Sequence, residues 1–369
     1  MSPHPTPLFP YMSWAQNESW ISAYSLSQSG LPAPDASFLE GLGIDLAQAP
    51  AGARQALTER LGELFCVAPE RVLVTVGASA AMHIVAARWF RAPARVAVET
   101  PSYEALRSLP GLFGAESRPL VRDFAEGWKP DPAAARETFA GHNGPGHIFL
   151  TNPHNPTGAK LGEAEIVALA AEAERAGGLL ISGEAYGEFL PNEERVHAFA
   201  LAPNTLSIGT LTKAYGLGAL RIGWMILGEG VSHEYAALQD LAFMTYVDAP
   251  TVSLRAGLVA LNSLPLLLGP LRRVEAESRP TWERWLRETE GVEALVPERG
   301  IIAFPRIAGL EDGRALVRFL QSEHSVDVVP GEFFGAPGFL RVGCGVPAET
   351  LKEGLARLTE GLAAWRTRA

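Results

Sequence analysis

Apolar and polar positions along this chain change period repeatedly, and each change marks an element. Over residues 51–65, Leu57, Leu61 and Leu64 recur at helical spacing and predict a helix. Residues 71–76 are an apolar, β-branched run ended by Gly77-Ala78-Ser79, after which residues 80–90 read as a helix. Apolar runs at 95–98, 147–151, 179–182 and 206–209 predict four further strands, with a helix over 161–176 carrying Leu161, Ile166 and Leu169 on its apolar side. Strands alternating with helices predict a largely parallel α/β sheet with functional side chains at strand ends. Beyond about residue 269 the rhythm changes. A long helix (271–288) precedes a strand (301–304), a helix (314–323), a β-branched run (326–330), a strand (339–342) and a closing helix (348–367). Residues 1–45 are rich in Pro, Ser and aromatics (Trp14, Trp20, Tyr24) and predict loops with one short strand at most. This N-terminal segment (1–45) and the tail (269–369) are expected to form a small α+β domain beside a large domain over 46–268. No internal repeat or low-complexity tract is visible.

Composition narrows the class. The chain has 369 residues, 47% hydrophobic and 20% charged, which fits a soluble globular protein with a deep core. A formal charge of −10 with no basic run argues against a nucleic-acid footprint. Cys66 and Cys344 are the two cysteines, so no disulfide framework exists, which suits a reducing compartment. The first ten residues lack the charged and apolar regions of a secretory signal. No apolar run approaches the roughly 20 residues that span a bilayer. A cytoplasmic location is therefore expected. The eight histidines show no paired spacing, so no metal site is expected.

The candidate chemistry centres on Thr210-Leu211-Thr212-Lys213-Ala214-Tyr215-Gly216-Leu217-Gly218-Ala219-Leu220-Arg221, which follows a buried strand. Lysines avoid burial unless paired. Lys213 stands among small residues with Arg221 nearby, and desolvation beside positive charge lowers an amine's pKa and makes it a nucleophile towards a carbonyl. A surface lysine flanking a glycine turn is the competing reading. The strand–glycine turn–helix at Gly77-Ala78-Ser79 can aim backbone N–H groups at an anion, or be an ordinary βα turn. Two Asn-Pro pairs and a glycine in Asn152-Pro153-His154-Asn155-Pro156-Thr157-Gly158 force a rigid, non-helical loop.

With Asn155, Tyr186, Lys213 and Arg341 in this order, the chain resembles the class I/II aminotransferases, which are pyridoxal-phosphate enzymes of fold type I. The similarity covers roughly residues 25–365 and is most specific in loop 152–158 combined with segment 210–221. It implies a large domain around a mostly parallel seven-stranded sheet, a smaller α+β domain, pyridoxal 5'-phosphate as cofactor and a homodimer acting on an L-amino acid and a 2-oxo acid. Lys213 would hold the cofactor aldehyde and shuttle the substrate's α-proton. Gly77, Ala78, Ser79, Thr210 and Arg221 would cup the phosphate. Asn155 and Tyr186 would hydrogen-bond the phenolic oxygen, and Tyr103, in Pro101-Ser102-Tyr103, would stack on the ring. Arg341 would clamp the substrate α-carboxylate together with Asn155, and Gly30 marks an N-terminal loop expected to close over the substrate. As isolated residues, Tyr186, Tyr103 and Arg341 also read as a core tyrosine, a packing aromatic and a surface arginine.

Two positions depart from the family. Gly183 stands where an aspartate pairs with the pyridinium nitrogen and sustains the electron sink. Glu184 is adjacent, but strand alternation sends it to the opposite face unless a bulge re-aims it. Ala47 stands where a tyrosine often reaches the neighbouring subunit's phosphate. The weakened sink keeps open a β/γ-elimination or cyclisation on the same fold. A cofactor-binding protein with little turnover is the third reading, against which the retained Arg341 clamp speaks.

Overall fold

A computed structural model describes residues 9–19, 22–40 and 50–368. Trp20, Ala47 and the expected boundary at 45/46 lie outside the described residues. Seven strands form the main sheet: β1 (Val72–Val76), β2 (Arg95–Thr100), β3 (Glu116–Val121), β4 (Gly146–Thr151), β5 (Leu180–Gly183), β6 (Thr205–Thr210) and β7 (Ile222–Leu227). Their spatial order is β1-β7-β6-β5-β4-β2-β3. All neighbours are parallel except β7, which runs antiparallel to both β1 and β6.

Helices cover both faces, which is why the central strands read as unbroken apolar runs. On one face Val96, Val98, Phe149, Ile181, Ile208 and Met225 pack under helices α3 (Gly77–Trp89), α4 (Glu104–Leu112) and α6 (Tyr235–Tyr246). On the other, Ala97, Ile148, Leu150 and Leu180 meet α5 (Glu163–Arg175). Helices α2 (Pro50–Phe65) and α7 (Thr251–Asn262) close over Val72, Ile222 and Trp224. Strand register brings Val76, Thr151, Gly183, Thr210 and Ile222 to one edge. Every candidate site residue of the sheet lies along that edge.

A separate core joins the N-terminal segment to the tail. Tyr11, Trp14, Leu26 and Leu31 pack with Phe304, Leu316, Leu320, Val326, Leu340, Leu351 and Leu358. Around it lie helix α1 (Pro10–Asn17), strands β8 (Ile302–Ala303), β9 (Val329–Pro330) and β10 (Leu340–Gly343), and helices α8 (Gly313–His324) and α9 (Ala348–Arg366). Strand β10 pairs antiparallel with both β8 and β9.

Of the elements that the sequence pattern missed, helices α4, α6 and α7 among them, three have a clear physical reason. Strand β3 is a charged sheet edge with only Leu120 buried, so it shows no apolar run. Strand β7 follows Arg221 directly and merges with the glycine-rich segment before it. Helix α1 lies in what reads as loop. It begins at Pro10, but its free N–H groups are met by a distant carboxylate, Glu104, which accepts from Tyr11 N at 3.0 and 3.1 Å and from Met12 N at 3.3 Å. A cap drawn from 93 residues away has no local signature.

Candidate active site

Lys213 is positioned by the turn that ends β6. The Thr210 hydroxyl donates to Ile222 O at 3.0 Å and accepts from Thr212 N at 3.2 Å, which redirects the chain as it leaves the sheet. The Lys213 amine then donates to Ser29 Oγ at 2.8 Å and lies 5.9 Å from the centroid of the Tyr186 ring. Burial lowers its pKa to about 8, with Arg341 and Arg221 pushing the same way and Tyr11 opposing. The amine thus gives up its proton far more readily than an ordinary lysine.

Arg341 lies on β10, 1% exposed. Its Nη1 donates to Asn155 Oδ1 at 3.1 Å, and its Nη2 donates to Tyr11 Oη at 3.0 Å and to Ser27 O at 2.8 Å. The guanidinium stacks 5.6 Å from the Tyr11 ring centroid and 5.2 Å from that of Phe334. Its Nε is buried without a partner among the described residues, and so is the Tyr186 hydroxyl. Two buried orphan polar atoms on one cleft point to a polar ligand. Burial raises the Tyr186 pKa, with Arg341 drawing it back; the Ser29 hydroxyl is near enough to act in the same direction but does not meet hydrogen-bond geometry with it.

Asn155 is aimed at Arg341 by loop 152–158. Its backbone N–H donates to Thr151 Oγ1 at 3.1 Å, and the Asn152 side chain closes the loop through Leu161 N (2.8 Å) and Leu161 O (3.1 Å). Tyr103, which precedes α4, stands edge-on to Tyr11 at 6.0 Å and donates to Met12 Sδ at 3.4 Å. Gly30 sits against the lysine itself. A Cβ there would lie 3.3 Å from Thr212 O and 3.4 Å from Lys213 Cα, while Leu31 N donates to Lys213 O at 2.9 Å.

The expected phosphate cup lies at the start of α3. Gly77 has φ +73°, and a Cβ on it would overlap the Arg221 guanidinium. Arg221 itself is left-handed (φ +52°) and exposed, as is Ser79, while Ala78 is part-buried. Glycine is required here both by its backbone angle and by the close approach of the cation. The hydroxyl proton of Thr210 is committed to Ile222 O, so this residue shapes the turn as well as bordering the cup.

At the departures, β5 runs without a bulge, pairing Gly183 with Thr151 on one side and Ile208 on the other. A Cβ on Gly183 would meet Thr151 Cγ2 at 3.1 Å. Glu184 turns to the far face. Its carboxylate accepts from Ala198 N (3.0 Å) and Ser207 Oγ and pairs with His197 Nδ1 at 2.7 Å. It faces away from Lys213 and does not substitute for a carboxylate at Gly183.

Sequence reasoning missed a buried network beneath the cleft. Glu99 accepts from Thr151 N (2.8 Å) and Thr151 Oγ1 (2.6 Å) and pairs with Arg122 at 2.7 Å. His154 Nε2 donates to Pro101 O at 2.8 Å, which makes Nδ1 the acceptor from the Thr157 hydroxyl at 2.7 Å. Burial holds its pKa well down, so it stays neutral. The network ties the Pro101-Ser102-Tyr103 turn to loop 152–158. A charged residue inside the β2 run was its only trace in the sequence. Tyr11, Ser27, Ser29 and Glu104 were missed as well, because their roles come from contacts across the chain.

The chain matches the model of the family described as "Aminotransferase class I and II" over residues 45–358. It is 30% identical over 301 residues to capreomycidine synthase of Streptomyces vinaceus, covering 79% of this chain and 74% of that protein. It is 27% identical over 318 residues to an arginine–pyruvate transaminase of Pseudomonas aeruginosa, covering 83% and 79%. In three dimensions it is similar to a PLP-dependent aminotransferase of Streptococcus suis, with TM-score 0.84 and 22% identity over 98% of this chain and 99% of that one. An aspartate aminotransferase of Thermus thermophilus with maleate gives TM-score 0.79 and 22% identity over 98% and 97%.

Proposed function

The chain belongs to the class I and II aminotransferase family, a family of pyridoxal-phosphate enzymes, and we propose that it transfers the amino group of an L-amino acid to a 2-oxo acid. The carrying observation is the meeting of a desolvated lysine amine, its pKa lowered to about 8, with a buried arginine fork at one sheet edge. The residues present fit pyridoxal 5'-phosphate. Lys213 offers the amine for its aldehyde, Gly77 to Ser79 and Arg221 offer N–H groups and a cation for its phosphate, and the orphan hydroxyl of Tyr186 awaits an oxygen. When bound, the cofactor supplies the electron sink that lets the substrate's α-carbon lose a proton.

The chain's own side chains do the rest. Arg341 and Asn155 hold the α-carboxylate and so fix which face of the α-carbon meets Lys213. The Lys213 amine takes the α-proton at Nζ and returns it elsewhere on the substrate–cofactor framework. Tyr11, Tyr103, Trp14 and Phe333 form an aromatic wall that excludes water from the carboxylate end.

A second reading rests on Gly183. With glycine there and Glu184 bound to the far face, no carboxylate among the described residues meets the position that the family gives to the pyridinium partner. A chemistry less dependent on a protonated ring, β/γ-elimination or cyclisation of an amino acid, fits that gap. One relative is itself named a synthase.

The homodimer is part of the proposal. Helix α6 packs against α3, whose start forms the exposed phosphate cup, and at the end of α6 Met244 is 86% and Val247 74% exposed beside Phe243. A second copy covering that face would bury this patch and enclose the cup. Light scattering should give twice the chain mass, and a monomer that keeps the bound cofactor would remove the dimer from the reading. For the chemistry, borohydride reduction followed by mass spectrometry should fix the cofactor on Lys213. A panel of amino acids should then convert bound cofactor to its pyridoxamine form. Release of ammonia with a 2-oxo acid selects the second reading, and an adduct on Lys129, Lys160 or Lys352 overturns both.

A further inference from the structure

Ser29 belongs to a segment pinned along its length. Leu26 N donates to Asp327 O at 2.9 Å, Gly343 N to Leu26 O at 2.7 Å, Arg341 Nη2 to Ser27 O at 2.8 Å and Leu31 N to Lys213 O at 2.9 Å. Gly30 lets this segment lie directly on the lysine backbone, where a Cβ would reach 3.3–3.4 Å from Thr212 O and Lys213 Cα. The hydroxyl that results is held 2.8 Å from Nζ by the same backbone that carries the lysine. It is a built contact rather than a loose loop touching a flexible side chain.

The surroundings of the amine say what the hydroxyl is for. The groups facing Lys213 are two cations, Arg341 and Arg221, and two phenols, Tyr11 and Tyr186. No carboxylate is among them, so Ser29 Oγ is the hydrogen-bond acceptor that the amine meets among the described residues. In its resting role Lys213 must be neutral to bond to an aldehyde, and the cationic, desolvated surroundings favour that. Later the same nitrogen must hold a proton. The substrate's C–H bond breaks, its electron pair stays with the substrate–cofactor framework, and the proton becomes a third N–H on Nζ. A lysine kept neutral by two arginines alone would be a poor base for that step.

We propose that Ser29 is a catalytic residue of this enzyme, the acceptor that steadies Lys213 in its protonated form after the lysine has been released from the cofactor. The hydroxyl accepts from the ammonium in a charge-assisted bond, stronger than the bond it makes with the neutral amine. It therefore sets how far the two arginines can depress the lysine, leaving the amine basic enough to take the α-proton. The inference rests on Lys213 being the amine that holds the cofactor.

The test uses cofactor-free protein, so that it reads the amine and not turnover. Acetylation of Lys213 by a trace of acetic anhydride, quantified by mass spectrometry across pH 6–11, gives the titration midpoint directly. Wild type should titrate near 8. Ser29→Ala should lower the midpoint by about one pH unit, the size of shift expected for one charge-assisted bond. Ser29→Thr, which keeps the hydroxyl, should restore it. In the cofactor-loaded protein, deuterium exchange at the substrate α-carbon should slow about tenfold in Ser29→Ala and recover in Ser29→Thr. A midpoint unchanged in Ser29→Ala, with the borohydride adduct still on Lys213, overturns this proposal and leaves the proposed function standing. An adduct on another lysine overturns both. An equal shift in Ser29→Thr and Ser29→Ala overturns the hydroxyl's role, because the change would then come from packing.

Discussion

The two ends of the cleft are built by different rules. The cup end, Gly77 to Ser79 with Thr210 and Arg221, is made within the main sheet from short segments whose backbone does the work, and Ser79 and Arg221 remain exposed. The clamp end, Arg341 with Tyr11, Ser27, Ser29 and Asn155, is made where the N-terminal segment, the tail and the sheet meet, and Arg341 there is 1% exposed. A site open at one end and sealed at the other fits a division of labour. The exposed end suits a group that binds once and stays, and the sealed end suits a substrate whose charge must be desolvated to be read strongly.

The largest effect expected of that division is at the sealed end. Arg341→Ala removes a buried fork whose truncation typically costs about 2–5 kcal/mol, a carboxylate partner being left unpaired. Amino-acid affinity, read from the spectral change of the cofactor-loaded protein, should fall by that amount. Cofactor affinity should move several-fold less. Equal losses of both would mean that the two ends are not separable, and the comparison would fail.

Between the ends lies Gly183, and Gly183→Asp tests whether the gap there matters. Losing a charge-assisted bond costs roughly 1.5–3 kcal/mol, so restoring one should raise the rate of α-proton exchange by about tenfold or more. A Cβ at this position stands 3.1 Å from Thr151 Cγ2, so Thr151 must yield by a few tenths of an ångström. Its Oγ1, bonded to Glu99, resists that movement. Transamination should gain relative to elimination in the variant. If exchange is unchanged although cofactor binding survives, the chemistry does not run through a protonated ring, and the reaction that needs less of a sink is the better reading.

At the exposed end, Gly77→Ala should act on the cofactor alone. A left-handed alanine costs about 1–2 kcal/mol, and its methyl would displace the Arg221 guanidinium from the cup. Cofactor affinity should drop about tenfold, with amino-acid affinity of the loaded protein unchanged. A variant that loses amino-acid affinity instead would place Gly77 in the wrong half of the cleft.

The same contrast explains what the sequence disclosed. Positions whose role is a local backbone requirement were legible: Gly77 before its helix, the Asn-Pro pairs of loop 152–158, and Lys213 at the end of a buried strand. Asn155 and Tyr186 were legible through resemblance, as was Arg341. Tyr11, Glu104, Ser27 and Ser29 were not, because each acts through a partner between 92 and 330 residues away, with no periodicity or turn chemistry to announce it. Helix α1 is the instructive case. Its pattern reads as loop because what completes it is Glu104, held beside Tyr103. Gly30 lies against the backbone of Thr212 and Lys213, a close approach with no trace in the sequence beyond the glycine itself. Glu99 and Arg122 were illegible for a further reason. A buried ion pair looks, residue by residue, like two surface charges.

The smallest effect belongs to Tyr11, and its sign is the informative part. A bidentate grip on a carboxylate needs Nη2 of Arg341, yet both hydrogens of that nitrogen are engaged, one by Ser27 O and one by the Tyr11 hydroxyl. Ser27 O is backbone and cannot withdraw, so an incoming carboxylate has to displace the phenol. Tyr11→Phe removes the competitor and leaves one buried N–H without an acceptor in the free protein, a penalty of about 1 kcal/mol that the substrate then relieves. Amino-acid binding should tighten, by up to about fivefold, while the stacked ring over the guanidinium is retained. Thermal stability of the substrate-free protein should fall slightly for the same reason. Weaker binding in Tyr11→Phe would show that the phenol contacts the carboxylate alongside Arg341 rather than occupying its place. The N-terminal helix would then be part of the clamp instead of its stopper.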